Sequence, residues 1–263
     1  MQRTIVTPPT YFAVSLDEIK DHLRVTHTDE DPYIQALLMT AQGQVESYLN
    51  RKLITQTWKA FFDDWPDGDA IVLPFGQLQS VTNVKYTDSD GDQSTFSSDD
   101  YIVDTDSEPG RVVLGYNESW PTATLYPSNP IEVQFVCGYG AHTPQDVEAA
   151  SNETPIVITV TGHGYTSNDI VYVYDVGGNT TADGIWAIEK VNDNTFKLLG
   201  SAGTAAHTSG GKVIKHDVPE PIVQAIKILT ADLYENRETI LVGTITSSLK
   251  TVKALLGNYR LFT

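Results

Sequence analysis

The sequence contains little cysteine, few basic residues and no long hydrophobic run, and each shortage excludes a class of protein. Cys137 is the single cysteine among 263 residues, so an internal disulfide framework is excluded and a reducing compartment is favoured. No apolar run approaches the roughly 18 residues that a membrane-spanning helix requires. The first residues, MQRTIVTPPTYFAVS, lack the basic-then-apolar pattern of a secretion signal. We therefore expect a protein that stays where it is made and has no membrane partner.

Basic residues are scarce relative to acidic ones. The chain carries 17 Lys and Arg against 34 Asp and Glu, a formal net charge of -17, and most of the acidic excess lies in residues 1–143. Nucleic-acid binders need Lys and Arg to displace counterions from phosphates, so tight DNA binding is not expected. An acidic surface is also typical of soluble proteins in general. The net charge therefore argues against a nucleic-acid ligand but does not identify the partner.

Three segments have the sequence pattern of helices. Ser15-Leu16-Asp17-Glu18 forms a capping box, which predicts a short helix start. After TDEDP, apolar residues from Ile34 to Leu49 recur at helical spacing and predict a helix over about residues 31–51. The same period returns at Pro219, in VPEPIVQAIKILTADLYENRE. Gly243 and a Ser/Thr-rich stretch then precede a last short segment, SLKTVKALLGNYRLF.

The residues between the second and third helices have strand-like patterns of two kinds. From residue 57 to 139 aromatic and β-branched residues alternate with polar ones, and Asp90-Gly91 is typical of a hairpin turn, which predicts an antiparallel β region. QDVEAASNETP, over residues 145–155, starts like a helix and breaks within a turn or two. The following Gly-, Thr- and Asn-rich residues read as short strands of a separate β module.

This order predicts an α+β fold: a helical bundle core with an antiparallel β region, plus an inserted all-β domain in the form of a small barrel. We assign residues 1–143 and 217–263 to one discontinuous domain and residues 144–216 to the insert. Insertions of this kind are tolerated at surface connections. Removal of the insert would join the GYG of residues 138–140 to the helix that starts at VPEPIVQAI.

Residues that could carry chemistry are present, but none forms a convincing catalytic or metal-binding pattern. Cys137 lies in an alternating strand and is expected to be a buried core thiol. Asp88, Asp90, Asp92 and Asp99 resemble a calcium loop whose glycine is at the fourth position instead of the sixth, so a hairpin turn is favoured and a weak calcium site stays open. The six histidines lack paired zinc spacing: His22, His27, His142, His163, His207 and His216. We therefore predict no enzyme activity, no cofactor and no metal.

With the insert set aside, the chain resembles the head-tail connector (adaptor) proteins of long-tailed bacteriophages over about residues 10–143 and 217–263. The resemblance is carried by SLDEIKDHLRVTHTDEDPYIQALLMTAQGQVESYLNRKL, by the strand ending in GYG, by VPEPIVQAI and by LLGNYR. The insert is similar to a small β-barrel module of tailed-phage structural proteins and to a half-domain of ubiquitin-activating enzymes. HGYTSNDIVYV, GGNTTADGIWAIEKVNDNTFKL and HTSGG carry that second likeness.

The resemblance to adaptors implies a structural role in the virion neck, after assembly in the cytoplasm of the bacterial host. Such a protein docks as a dodecameric ring under the portal protein, extends the DNA channel without binding DNA tightly, and offers a platform to the tail or stopper protein. It also implies that the C-terminal segment reaches the portal. The alternative is that this segment packs on its own domain. The implied docking residues are Leu255, Leu256, Tyr259, Arg260, Leu261 and Phe262.

The sequence supports two hypotheses about the role of the insert. It could be an outward-facing decoration that stabilises neighbours. Alternatively, the protein is a virion-associated binding module whose insert recognises a glycan or a receptor through an exposed Trp186 together with Tyr165, Tyr172 and Tyr174. Aromatic side chains of this kind are common at recognition surfaces.

Overall fold

The computed structural model describes residues 1–140, 142–236 and 246–262. Its helices are α1 (Leu16–Leu23), α2 (Asp31–Leu49), α3 (Glu220–Glu235) and α4 (Thr246–Leu256), and its strands form antiparallel sheets, so the fold is α+β as predicted. In these described ranges, no helix combines the length and the apolar character needed to cross a membrane. The chain divides into two compact units, Met1–Ala13 with Gln42–Tyr139 and Leu249–Thr263, and Val14–Ala41 with Gly140–Ser248.

The first unit contains two antiparallel sheets. The five-stranded sheet has the order β1-β2-β8-β4-β5, and the three-stranded sheet has the order β3-β7-β6. Between them lies a core that includes Phe135, Ile131 and Val133, with Cys137 at its border. The strand bounds are β1 (Gln2–Thr7), β2 (Gln56–Phe62), β3 (Ala70–Val72), β4 (Leu78–Thr87), β5 (Gln93–Phe96), β6 (Tyr101–Asp104), β7 (Arg111–Leu114) and β8 (Ile131–Cys137).

Strand β8 shows why the alternating pattern forms a half-buried strand. Its burial alternates residue by residue, from buried Ile131 to buried Cys137. The residue after the strand, Gly138, has a positive φ of 128°. A Cβ atom on Gly138 would come within 2.5 Å of the Ile54 backbone. The turn after β8 therefore requires glycine.

The second unit contains α1, the first part of α2, and α3. The Ser15 side chain accepts a hydrogen bond from the Glu18 backbone while the Glu18 side chain accepts from Ser15 N–H, so the predicted capping box is confirmed. Helix α3 begins after Pro219, as predicted, and buries Ile222, Ala225, Ile226 and Leu229. An ion pair of 2.9 Å joins Lys227 on α3 to Glu18 on α1.

The remaining strands of the second unit form a small all-β module. They are β9 (Gln145–Asp146), β10 (Ala149–Ala150), β11 (Val157–Thr159), β12 (Ile170–Gly177), β13 (Gly184–Lys190), β14 (Thr195–Leu198) and β15 (Ser209–Lys215), in the sheet order β10-β11-β14-β13-β12-β15-β9. The two outer strands are consecutive pieces of one segment, β9 paired to β15 and β10 paired to β11. The sheet therefore closes through this segment into a barrel around its own core.

Two features differ from the sequence-based expectations. Residues 145–150, whose composition starts like a helix, form the two short strands that close the barrel, because pairing with β15 and β11 outweighs local propensity. Strand β1 was not predicted. All six of its residues are exposed and backbone pairing to β2 holds it, so it carries no alternating pattern. Gly243 and the end of the third helical pattern lie outside the described residues.

Candidate functional site

The C-terminal segment is the candidate docking site, and contacts with the first unit hold it up to Leu261. Within α4, Val252 and Leu256 are buried. A short 3-10 turn, Gly257–Tyr259, follows the helix and leads into an extended end. The Leu261 N–H donates to the Leu49 carbonyl over 3.0 Å, at the end of α2. The chain end is thus held by backbone as well as side-chain contacts.

Arg51 is the centre of this anchor. Its Nε donates to the Tyr259 carbonyl, and its guanidinium forms a bidentate ion pair with the Glu108 carboxylate, Nη1 to Oε1 at 2.7 Å. Gln77 Nε2 also donates to the same carboxylate at 2.5 Å. The guanidinium is buried, with 6% of the side chain exposed, whereas 35% of the Glu108 side chain is exposed. Three distant parts of the first unit therefore converge on one cation.

Electrostatics keep both partners of this pair ionised. The hydrogen bond from Arg51 lowers the pKa of Glu108, against the opposing effect of burial. Burial disfavours the charged form of Arg51, but the contacts with Glu108 and Tyr139 together outweigh it, so the pKa of the guanidinium is raised. A charged, bidentate and largely buried pair is a rigid support for the Tyr259 carbonyl.

The six residues predicted to dock on the portal divide into anchored and exposed ones. Leu256 is buried, and Leu255, Tyr259 and Leu261 are half-buried. Phe262 is 82% exposed. The Arg260 guanidinium is also exposed and lies 4.8 Å from the Tyr48 ring centroid and 5.1 Å from that of Phe262. The structure therefore brings an arginine and a phenylalanine together at the accessible tip.

The residues predicted for recognition by the insert do not all reach its surface. Tyr165 is 8% exposed and lies in the barrel core. Trp186 is half-buried, packs against the same core and donates its Nε1–H to the Ala182 carbonyl at 2.9 Å. Tyr172 and Tyr174, on β12, are half-buried and stacked with centroids 5.1 Å apart. The four do not form one exposed cluster, and recognition by the insert stays a prediction.

The residues considered for catalysis or metal binding have structural surroundings. Cys137 is 1% exposed, and burial raises the pKa of its thiol to about 12. Asp88 accepts backbone hydrogen bonds from Asp90 and Asp92 at 3.0 Å each, as in a tight turn. Across residues 1–140, 142–236 and 246–262, no three His, Cys, Asp or Glu side chains converge as metal ligands would.

Arg51, Glu108 and Gln77 were not identified from the sequence. Arg51 lies 57 residues from Glu108 and 26 residues from Gln77 along the chain. Local periodicity therefore gives no indication that they converge. The one available hint is a cation at the end of a predicted helix, where it can approach backbone carbonyls.

Comparisons with solved structures show the fold over the whole chain. A chain in the neck of an empty gene transfer agent (GTA) particle, computed with C6 symmetry, is 18% identical at a TM-score of 0.61, covering 100% of this chain and 97% of that one. A chain of the native GTA virion and one of the native GTA neck with C12 symmetry are each 17% identical, at TM-scores of 0.59 and 0.58, with the same coverage. The shared fold thus includes residues 144–216. No curated protein matches the chain.

A family described as phage gp6-like head-tail connector protein matches residues 13–108. The matched range contains α1, α2 and the strands from β2 to β6, together with Arg51 and Glu108 of the anchor. The resemblance inferred from the sequence is confirmed for these residues, whereas the likeness of the insert to ubiquitin-activating enzymes stays a prediction. Residues 13–108 of this chain are therefore similar to the phage gp6-like head-tail connector family.

Proposed function

We propose that this protein is a structural head-tail adaptor of a tailed, phage-like particle. It acts in the virion neck after assembly in the host cytoplasm, without catalysis or a cofactor. It docks as a ring under the portal, extends the channel for DNA and carries the tail or stopper protein. The observation that carries this proposal is the match of residues 13–108 to head-tail connectors, supported by a fold shared with neck chains.

The C-terminal segment is the portal-docking element in this proposal. The segment is held at Tyr259 by the Arg51 anchor and at Leu261 by the Leu49 carbonyl, so binding does not have to order the whole segment. Its tip presents Phe262 and Arg260, and aromatic and arginine side chains concentrate binding energy in interfaces. Preorganisation of this kind lowers the entropic cost of association.

The ring assignment rests on the symmetry of the structural neighbours, which lie in particles computed with C6 and C12 symmetry. This symmetry supports a ring, and we propose that it is twelvefold with one copy per portal subunit. An acidic chain of net charge -17 suits a DNA passage, since carboxylates offer no adhesive contact to phosphates.

Native mass spectrometry of the full chain mixed with the portal ring of the same virus tests the proposal. We expect one copy per portal subunit. Phe262→Ala should weaken portal binding by ~2 kcal/mol, about thirtyfold in Kd, whereas Tyr116→Ala, which removes an aromatic side chain that is 92% exposed, should leave the Kd unchanged.

Truncation after Gly257 should abolish portal binding while the chain stays folded by circular dichroism. Binding of the truncated chain at full affinity would refute docking by the C-terminal segment. If the intact chain ignored the portal ring, the adaptor role itself would be refuted.

A further inference from the structure

The five-stranded sheet of the first unit has two ends with different surroundings. At one end Gln56, Cys137 and Leu78 are neighbours across three strands, and at the other end Phe62, Ile131 and Tyr86 are neighbours. The C-terminal anchor belongs to the first end, because Gln77, which contacts Glu108, directly precedes Leu78. Seven residues of β2 place the second end about 20 Å away.

The second end carries a group of aromatic side chains that includes two stacked tryptophans. The rings of Trp65 and Trp120 lie parallel, with centroids 4.9 Å apart and planes at 10°. Tyr86 and Phe96 support Trp65 at 5.9 and 6.0 Å. Both indoles are half-buried and Tyr126 is 48% exposed. We call Trp65, Trp120 and Tyr126 the aromatic platform.

Two grooves flank the aromatic platform. One, of about 390 Å³, is lined by Asp63, Asp64, Trp65 and Tyr126 among others, and the second, of about 380 Å³, is lined by residues that include Asp100 and Trp120. Trp65 Nε1 is buried and has no hydrogen-bond acceptor among the described residues. Because solvent does not reach this atom, a bound segment would contact the accessible parts of the rings and the carboxylates instead.

The carboxylates around the platform lack the cations that their counterparts elsewhere in the unit possess. At the other end of the sheet, Glu108 is paired with Arg51. By contrast, no Lys, Arg or His of the described chain lies within 4.0 Å of Asp63, Asp64 or Asp100 in an ion pair. These side chains accept at most backbone hydrogen bonds, as Asp63 does from Asn129 at 3.1 Å. The charge at this end is therefore complementary to a cationic partner.

Arginine is the side chain that satisfies all of these features. Its planar guanidinium stacks on indole faces and binds carboxylates in a bidentate manner, whereas an ammonium is a hydrated point charge. Nucleic acid does not fit, because its phosphates would face uncompensated carboxylates.

We propose that the aromatic platform docks an arginine-bearing segment of a partner protein, at the end of the sheet opposite the C-terminal segment. That the partner belongs to the tail side of the neck rests on the proposed function. The adaptor would then bind one neighbour at each end of a single rigid sheet.

The test uses the full chain, labelled with ¹⁵N, and three peptide probes of one length: Ac-GRGRGRGR-NH₂ and its lysine and glutamate counterparts. The arginine peptide should shift the indole N–H signal of Trp65, assigned through Trp65→Phe. The indole signal of Trp186, which is hydrogen-bonded to Ala182, should stay in place.

Matched variants then distinguish binding at the aromatic platform from nonspecific attraction to the acidic surface. Asp63→Asn, Asp64→Asn and Asp100→Asn together should lower the affinity for the arginine peptide about tenfold, as expected for three ion pairs at exposed or half-buried positions. Asp21→Asn, Asp29→Asn and Asp106→Asn remove the same charge from exposed positions elsewhere and should change the affinity less than twofold.

The proposal is overturned if the arginine peptide leaves the Trp65 signal unchanged or if both triple variants lose affinity equally. Equal affinity for the lysine peptide would overturn the assignment to arginine. A Trp65 shift caused by cellohexaose, with none from the arginine peptide, would assign the platform to carbohydrate instead. None of these measurements involves the portal, so their failure leaves the adaptor role to be judged separately.

Discussion

Replacing Arg51 by alanine is expected to loosen the C-terminal segment and to destabilise the first unit. The change removes both hydrogen bonds to Glu108 and the donor to the Tyr259 carbonyl. Breaking a fully buried ion pair costs about 3–5 kcal/mol because an unpaired charge remains. Since 35% of the Glu108 side chain is exposed, water recovers part of this, and we expect a loss of about 2–3 kcal/mol.

Urea unfolding measures this loss, and hydrogen exchange locates it. In the variant, the Leu261 amide, which donates to Leu49 at 3.0 Å, should exchange faster because the segment that carries it is released. Lys197→Ala is the control. It removes a cation paired at 3.3 Å with Glu189, whose side chain is 52% exposed, and it should cost at most about 1 kcal/mol without changing the exchange of Leu261.

The pH dependence of stability provides a second readout of the same pair. The pKa of Glu108 is lowered in the folded chain, mainly by Arg51. Its stabilising contribution is therefore present above its unfolded pKa and disappears as the pH falls through the folded pKa. Arg51→Ala should flatten this acid-side slope. A variant as stable as the Lys197→Ala control, with Leu261 still protected, would refute the role assigned to Arg51.

Two further predictions concern the core of the first unit. Gly138→Ala should destabilise the protein by about 3 kcal/mol or more in urea unfolding, because φ is 128° and the Cβ would meet the Ile54 backbone at 2.5 Å. The control Gly162→Ala, with φ at 63° and open space around the new Cβ, should cost about 1 kcal/mol. Similar losses for the two variants would contradict the close-contact argument. Burial raises the pKa of the Cys137 thiol to about 12, so it should react with Ellman's reagent at pH 8 roughly a thousandfold more slowly in the folded chain than in guanidinium. A fast reaction of the folded chain would show that the thiol is accessible and would contradict this prediction.

Elements with a strong local pattern could be predicted from the sequence. The capping box at Ser15, the periodic apolar residues of α2 and the alternation in β8 each report a side chain's position relative to the core. Strand β1 and the two strands at residues 145–150 carry no such pattern. Their structure comes from backbone pairing with strands far away in the chain.

The candidate site could likewise be predicted only in part from the sequence. Residue types at the chain end suggested a docking segment, but they did not show that Leu256 is buried while Phe262 is 82% exposed. Nor did composition indicate that Trp65 and Trp120, 55 positions apart, stack in parallel. Such pairs arise only when the sheet brings their strands and loops together.

Local sequence is sufficient for the helices, for the alternating strands, for the acidic surface and for the resemblance of residues 13–108 to head-tail connectors, because these depend on the order and spacing of neighbouring residues. The closure of the barrel through residues 145–150, the Arg51 anchor and the aromatic platform arise only in the folded chain. Their partners are separated by up to 208 residues, as Arg51 and Tyr259 are, and contacts at that distance depend on sheet topology, which short-range patterns do not encode.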